Sequence, residues 1–315
     1  GGNLSATTDA NNGNITLDQL ALASGKTIAL ITNDDAGDNT GHATVKNTTA
    51  LNLALSTIDG NFSGTATNGS ISQTGNLNIT GTATFITTVN NSDIILSQSG
   101  NVFGAQVIMK AGDGSNAAFG NITFVDSAAV KIETSAGTDA DGDLYLNAST
   151  DLSVGGNLII TAGAGNITQG AAVTVAGTSS FETSTSGADI ALSSENAFAQ
   201  KVTLTTFGAG GDATLDNGTT ALIIAASDVR GDLTLESGHA SGITDADGET
   251  VTVGGNLAAT TTANNGDIDM GTLAVTGTIA LTTHADASNN TSHATIVNTR
   301  AVKLAASTVD GNLNV

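Results

Sequence analysis

Two short acidic turns are the segments of this sequence whose residue types best suit metal chemistry. They read Asp139-Ala140-Asp141-Gly142-Asp143 and Asp245-Ala246-Asp247-Gly248-Glu249. Carboxylates at alternating positions can supply the hard oxygen ligands that Ca²⁺ takes, but an EF-hand loop also needs Gly at its sixth position and a bidentate Glu at its twelfth. Neither turn meets that requirement, so a solvated acidic turn is the favoured interpretation and a weak calcium site the alternative. The candidate ligands are Asp139, Asp141 and Asp143 in the first turn, and Asp245, Asp247 and Glu249 in the second.

A second candidate is Arg230-Gly231-Asp232, which spells an integrin-type recognition tripeptide. The same slot elsewhere in the chain reads Asp59-Gly60-Asn61, Gly155-Gly156-Asn157 and Asp310-Gly311-Asn312. Gly followed by Asn or Asp is a turn preference. We therefore interpret the tripeptide as the turn that opens a strand, and whether it also binds a receptor stays open.

Residues for acid–base or nucleophilic catalysis are scattered. The four histidines do not cluster, and His42 and His293 occupy equivalent positions of a repeat. No Ser-His-Asp arrangement can be read, and the arginines Arg230 and Arg300 are far apart in sequence. We expect no enzymatic activity, no catalytic residue and no cofactor, apart from the calcium alternative.

Composition narrows the classes of partner. The chain has 315 residues, a formal charge of -21, 3% aromatic residues, no Cys and no Pro. So acidic a chain repels phosphate backbones, which makes nucleic acid an unsuitable partner. No apolar run is long enough to cross a membrane. The absence of Pro fits a chain whose backbone N–H groups are paired in sheets.

The elements that must position these residues are short strands. Pairs of Val, Ile or Leu, separated by one small or polar residue, recur about every ten residues between Gly, Asn and Asp turns, a spacing typical of all-β folds. Examples are Leu20-Ala21-Leu22, Ile94-Ile95-Leu96 and Val302-Lys303-Leu304. The pattern predicts a right-handed parallel β-helix, an elongated β-solenoid, with roughly 13–15 coils of about 20–25 residues each. We expect the phenylalanines to lie in its core, Phe85 and Phe181 in the same kind of position.

Internal repeats support this architecture. Residues 60–109 resemble residues 156–204, and residues 1–64 resemble residues 254–315. Self-similarity of this kind is the signature of stacked repeats. We expect residues 1–315 to form a single continuous solenoid segment of a longer repetitive fibre with a macro-repeat of about 250 residues.

The repeat pattern resembles a known family. Its elements are Gly-Asn-Leu-x-Ile, Gly-x-Ile-x-Gln, Val-x-Val-x-Gly-x-x-x-Phe, Asp-Ile-x-Leu and Asn-x-Phe. They are similar to the repeats of filamentous-haemagglutinin-like two-partner-secretion exoproteins, which are large bacterial adhesins. The resemblance implies a β-helix shaft that is exported and assembled outside the cell. The secretion domain of that family carries Asn-Pro motifs, and this chain has no Pro.

Together these observations predict a structural shaft segment of a secreted bacterial surface fibre or adhesin. Expected partners are further copies, end to end or in filaments, and a host or neighbouring cell surface. The alternative is an S-layer-like or other envelope or extracellular matrix array. An ice-binding solenoid, suggested by the pairs Thr65/Thr67 and Thr82/Thr84, is disfavoured because such pairs do not recur on every coil.

Overall fold

A computed structural model describes residues 1–33, 40–112, 120–132, 143–146, 153–285 and 291–315, with the backbone alone for residues 143–146. Within these residues the protein is all-β, without a helix, and its parallel strands stack in a β-solenoid of about 12 turns. The predicted fold class is therefore confirmed. The chain divides into two compact units, Gly1–Gly163 and Ala164–Val315, and each is described by itself.

Short strands with an alternating buried and exposed pattern make up the first unit. They are β1 (Leu4–Thr7), β2 (Ile15–Leu20), β3 (Ile28–Ile31), β4 (Ala43–Asn47), β5 (Leu51–Leu53), β6 (Ser56–Ile58), β7 (Phe62–Ala66), β8 (Ile71–Gln73), β9 (Leu77–Ile79), β10 (Ala83–Thr87), β11 (Ile94–Leu96), β12 (Val102–Phe103), β13 (Val107–Lys110), β14 (Ile122–Asp126), β15 (Val130–Ile132), β16 (Asp143–Leu146), β17 (Ser153–Val154) and β18 (Leu158–Ala162).

The second unit is built in the same way. Its strands are β19 (Ile167–Gln169), β20 (Thr174–Val175), β21 (Ser179–Ser186), β22 (Ile190–Leu192), β23 (Ala197–Phe198), β24 (Val202–Phe207), β25 (Ala213–Asp216), β26 (Leu222–Ile224), β27 (Ser227–Val229), β28 (Leu233–Ser237), β29 (Ile243–Asp245), β30 (Val251–Val253), β31 (Leu257–Thr261), β32 (Ile268–Val275), β33 (Ile279–Thr282), β34 (Ala294–Asn298) and β35 (Leu313–Asn314).

The register of the strands sets the length of each coil. Ala43 pairs with Phe62, 19 residues later, and Phe62 pairs with Ala83, 21 residues later. Ile122, however, pairs with Leu158, 36 residues later. Because such coils exceed the expected 20–25 residues, the chain forms about 12 turns and not 13–15.

Inward side chains of successive coils stack in the core, as expected from the period of two. In the first unit the ring centroids of Phe62 and Phe85 lie 5.2 Å apart. Gly64 makes room for this stack, because a Cβ at that position would lie 2.8 Å from the ring of Phe62. Phe85 and Phe181 are both fully buried, as predicted. Phe207 departs from the expectation, since it is 61% exposed.

Two predicted strands, Leu20-Ala21-Leu22 and Val302-Lys303-Leu304, are wrong. Strand β2 stops at Leu20. The N–H of Leu22 then donates to the Oδ1 of Asn47 at 2.8 Å, so a side chain replaces the ladder partner. The segment Val302-Lys303-Leu304 forms no strand, and a single bridge joins Leu304 to Ile279.

Candidate functional site

A ladder of polar side chains joins successive coils of the second unit. In each step a side-chain oxygen accepts the backbone N–H of the residue in the same slot one coil later. The successive donor-to-acceptor distances are 2.8 Å (Asp189 N–H to Asn166), 2.9 Å (Asp212 N–H to Asp189), 2.7 Å (Asp232 N–H to Asp212), 2.7 Å (Asn256 N–H to Asp232) and 2.9 Å (Thr278 N–H to Asn256). We call this series the polar ladder.

The same device operates in the first unit, and it explains His42. The N–H of His42 donates to Asn14 Oδ1 at 2.7 Å, and the Nδ1 of His42 accepts the N–H of Asn61 at 2.8 Å. In the second unit His293 Nδ1 accepts the N–H of Asn312 at 2.9 Å. A histidine that accepts through Nδ1 carries its proton on Nε2. The two equivalent histidines therefore serve as ladder members.

Arg230-Gly231-Asp232 lies on the polar ladder of the second unit. The N–H of Arg230 donates to Thr206 Oγ1 at 2.9 Å, and the carboxylate of Asp232 accepts the N–H of Asn256. The guanidinium of Arg230 forms a 2.6 Å ion pair with Asp228, and both side chains are partly exposed.

The backbone hydrogen bond from Arg230 to Thr206 recurs at the equivalent turns of the repeat. The N–H of Asp59 donates to Thr32 Oγ1 at 3.0 Å in the first unit. In the second unit the N–H of Asp310 donates to Thr283 Oγ1 at 3.1 Å. The tripeptide thus has the hydrogen bonding of a repeated turn.

Of the two acidic turns, only the second can be described in full. Asp139 and Asp141 lie outside the described residues, and of Asp143 the structure gives the backbone, at the start of β16. In the second turn Asp245 Oδ1 accepts the N–H of Gly271 at 3.0 Å, and its Oδ2 accepts the N–H and hydroxyl of Thr272, both at 2.6 Å.

The other end of that turn is also engaged by protein donors. Glu249 Oε1 pairs with Lys201 Nζ at 2.7 Å, and Glu249 Oε2 accepts the N–H of Ala226 at 2.9 Å. The hydrogen bond from Lys201 lowers the pKa of Glu249. Within the described residues, no group of three or more His, Cys, Asp or Glu side chains is placed to hold a metal ion.

A surface pocket of about 480 Å³ lies beside this turn in the second unit. The polar part of its lining includes Lys201, Asp245, Asp247 and Asp269, and Ile223 contributes an apolar wall. Asp245 and Lys201 are held by the contacts just described. Two of the charged lining groups, Lys201 and Asp245, therefore already bond to other coils.

Two carboxylates face each other on adjacent strands of the second unit. Asp216 of β25 pairs with Glu236 of β28 in register. Partial burial, together with the charges of Asp216 and Glu195, raises the pKa of Glu236. Like charges directly opposite each other destabilise a sheet.

Two amide pairs, the first buried and the second partly buried, are the polar feature that sequence reasoning missed. In the first copy of the repeat, Gln73 Nε2 donates to Asn101 Oδ1 at 2.8 Å, and Asn101 Nδ2 donates back to Gln73 Oε1 at 3.0 Å. Gln169 and Asn196 form the same reciprocal pair at the same distances. The sequence carries a signal for these pairs, because their Gln and Asn belong to the repeated motifs Gly-x-Ile-x-Gln and Asn-x-Phe.

A related arrangement, which we call the asparagine slot, recurs with Asn47, Asn217 and Asn298. Each amide accepts the N–H and donates to the C=O of one residue on the preceding coil. For Asn47 that residue is Leu22, at 2.8 and 3.4 Å. For Asn217 it is Phe198, at 2.8 and 3.1 Å. For Asn298 it is Val275, at 2.8 and 3.1 Å. The slot satisfies the backbone N–H and C=O of a buried residue at the end of a strand or just beyond it.

Comparison with known proteins identifies the repeats but gives them no activity. Residues 40–110 and 120–205, together about half of the chain, match a family described as repeats of unknown function (DUF5649). The two matches contain the two copies of the repeat at residues 60–109 and 156–204. No curated protein and no solved structure matches the chain. In the described part of the chain, no helix is long and apolar enough to span a membrane.

Proposed function

We propose that this chain is a structural shaft segment of a secreted bacterial surface fibre or adhesin, and that it acts by holding its coils in register and performs no catalysis. One observation carries the proposal. In both units, described turn side chains that could bind or react, among them His42, Asp232, Asp245 and Glu249, form hydrogen bonds with other coils, as in the step from Asp212 to Asp232.

The physical reason is the nature of a stacked array. In a solenoid each coil contacts only its neighbours, so its stability is a sum of coil and interface terms. A side chain that accepts an N–H from the next coil fixes the register of that interface. A series of such contacts along the stack gives the mechanical continuity that a shaft requires.

Exposed apolar side chains in and just after β35 support contact with a further coil. Leu313 is 41% exposed and Val315 59% exposed. Phe62, which occupies the slot equivalent to Leu313, is 2% exposed because the next coil covers it. A coil that follows in the same chain, or the end of another copy, would cover Leu313 in the same way, because strands pair along an open sheet edge. End-to-end self-association is the partner interaction that we propose.

Extracellular location and adhesion to a host or neighbouring cell are part of the same proposal. Their support is the resemblance of the repeats to filamentous-haemagglutinin-like exoproteins. The formal charge of -21 is compatible with a soluble exported chain.

Two measurements test the proposal. Immunogold labelling of intact and of sectioned cells of the source organism should place the protein on filaments outside the cell. Negatively stained purified protein should show filaments that lengthen with concentration. Label arranged in a two-dimensional lattice would favour the envelope-array alternative over the fibre. Label confined to the cell interior would contradict the proposal.

A further inference from the structure

One asparagine slot holds a carboxyl group. The backbone N–H of Phe103 faces the carboxyl of Asp126, as the N–H of Phe198 faces Asn217, to which it donates at 2.8 Å. Phe103 and Phe198 are equivalent residues of the internal repeat. Asp126 and Asn217 are both 0% exposed. The same slot is therefore filled by an acid on Phe103 and by an amide on Phe198.

An aspartate in place of an asparagine lacks the side-chain N–H donor of the amide. In the second unit the Nδ2 of Asn217 donates to the carbonyl oxygens of Phe198, Thr220 and Ala221 at 3.0–3.2 Å. Asp126 has two oxygens; Oδ1 accepts the N–H of Ala128 at 3.4 Å, and the buried Oδ2 has no hydrogen-bond partner. An ionised carboxylate only accepts, whereas a protonated carboxyl also donates one O–H. The neutral acid can therefore reproduce one of the amide's donated bonds.

Few charges face this group. Among the described residues, the neighbouring strands β11 (Ile94–Leu96), β12 (Val102–Phe103) and β18 (Leu158–Ala162) carry no titratable side chain. The next strand along the chain, β15, carries Lys131, whose side chain is partly exposed. Burial raises the pKa of Asp126 to about 6, against the lowering effect of the N–H groups of Ala128, Phe103 and Ser127.

We propose that Asp126 is a protonation-dependent lock in the first unit, which holds the coil at Phe103 when the carboxyl is neutral and loosens that coil when it ionises. The acid then acts as an amide substitute whose donor is present or absent according to pH. An asparagine slot, such as that of Asn217, lacks this dependence because an amide does not titrate in this range.

The direction of the effect follows from linkage. The folded pKa of Asp126, about 6, lies above its ordinary value of 3.8, so the folded state binds the proton more tightly than the unfolded chain. The stabilisation is complete below about pH 3.8 and is lost as the pH rises to about 6 and above. A shift of this size changes the local unfolding equilibrium on the order of a hundredfold.

Hydrogen exchange of the whole chain tests the lock. Protection of Ile122–Asp126, corrected for the intrinsic exchange rate, is compared at about pH 5 and about pH 8 by mass spectrometry. We expect protection to fall by about one order of magnitude at the higher pH. Asp126→Asn should raise protection at the higher pH and remove the difference. Protection of Ala213–Asp216, beside Asn217, should fall much less, because the titrating carboxyl there is the partly exposed Glu236 opposite Asp216 and not a fully buried acid.

The reciprocal variant keeps the test decisive if Asp126→Asn does not fold. Asn217→Asp should introduce into Ala213–Asp216 the pH dependence that the wild type shows around Asp126. Equal protection of Ile122–Asp126 at both pH values in the wild type would overturn the proposal. So would a pH dependence that persists unchanged in Asp126→Asn, or an Asn217→Asp variant whose protection does not respond to pH.

Discussion

The two copies of the internal repeat differ in their core and agree in their buried amides. In the first copy Phe85 packs between Phe62 and Phe103, with ring centroids 5.2 and 6.2 Å away. In the second copy the position equivalent to Phe62 is Leu158, and Phe181 has one described aromatic neighbour, Phe198, at 5.6 Å. The aromatic stack is thus not required for the coil.

The amide pairs, by contrast, are the same in both copies down to the residue type. Gln73 with Asn101 and Gln169 with Asn196 make reciprocal bonds of 2.8 and 3.0 Å. An apolar site requires volume, which several side chains can fill. A buried hydrogen-bond pair requires a given donor and acceptor at given positions, and a mismatch leaves an unsatisfied group. In this solenoid the buried polar residues therefore specify the coil more narrowly than the apolar ones.

The largest expected effect concerns the aromatic core. Phe85→Ala and Phe181→Ala should each destabilise the surrounding coils by about 3–5 kcal/mol, because both rings are fully buried. Phe85→Leu should cost less than about 1.5 kcal/mol, since it approximates the volume and mimics the Phe62-to-Leu158 difference. Urea unfolding followed by hydrogen exchange would measure both. A Leu variant as damaging as the Ala variant would show that aromatic stacking itself is needed.

The buried amides should follow in size. Asn101→Ala removes the acceptor for the N–H of Leu77 and the partner of Gln73. Each buried polar group left unpaired costs about 1–3 kcal/mol, so a loss of about 2–3 kcal/mol is expected, with the same loss for Asn196→Ala. A Gln73→Ala, Asn101→Ala double-mutant cycle measures the coupling within the pair. Additive single effects would contradict the reciprocal bonding.

How far the sequence predicts this molecule depends on the kind of interaction. The strand positions follow from Val, Ile and Leu pairs, because the period of two is a local property. The predicted strands Leu20-Ala21-Leu22 and Val302-Lys303-Leu304 are not observed, because Leu22 bonds to a side chain of another coil and Leu304 forms an isolated bridge. The exposure of Phe207 is equally hidden from the sequence, because hydrophobicity alone does not show whether a neighbouring coil covers a side chain.

The site was predictable in part. The equivalence of Arg230-Gly231-Asp232 with other Gly-Asn turns is visible in the repeat, and the structure gives those turns the same hydrogen bonds. The donors that occupy Asp245 and Glu249 come from other coils, such as Thr272 and Lys201, and no local pattern reveals them. For the same reason the different hydrogen bonding of Asp126 and Asn217 emerges only when the coils are stacked.

A smaller effect is expected on the polar ladder of each unit. His42→Asn and His293→Asn should change stability by less than about 0.5 kcal/mol, because Asn61 and Asn256 fill equivalent slots with an acceptor. The matched His→Ala variants should lose about 1 kcal/mol, the net value of one hydrogen bond. Thermal unfolding of the four variants provides the comparison. If Asn and Ala cost the same, the Nδ1 contact contributes nothing.

The smallest effect is expected at Arg230. Its ion pair with Asp228 is partly exposed, and such pairs contribute about 0–1 kcal/mol, so Arg230→Ala should leave the unfolding free energy nearly unchanged. Gly231→Ala is the contrasting variant, because a Cβ there would lie 2.0 Å from Asp212 Oδ1 and force the ladder to shift, at a cost of about 1–3 kcal/mol.

If the tripeptide is only a turn, attachment of integrin-bearing cells to the immobilised protein will be the same for wild type and Arg230→Ala, since the turn retains its backbone bond to Thr206 without the guanidinium. Loss of attachment in Arg230→Ala, with stability intact, would assign the exposed arginine a receptor that the other Gly-Asn turns do not share.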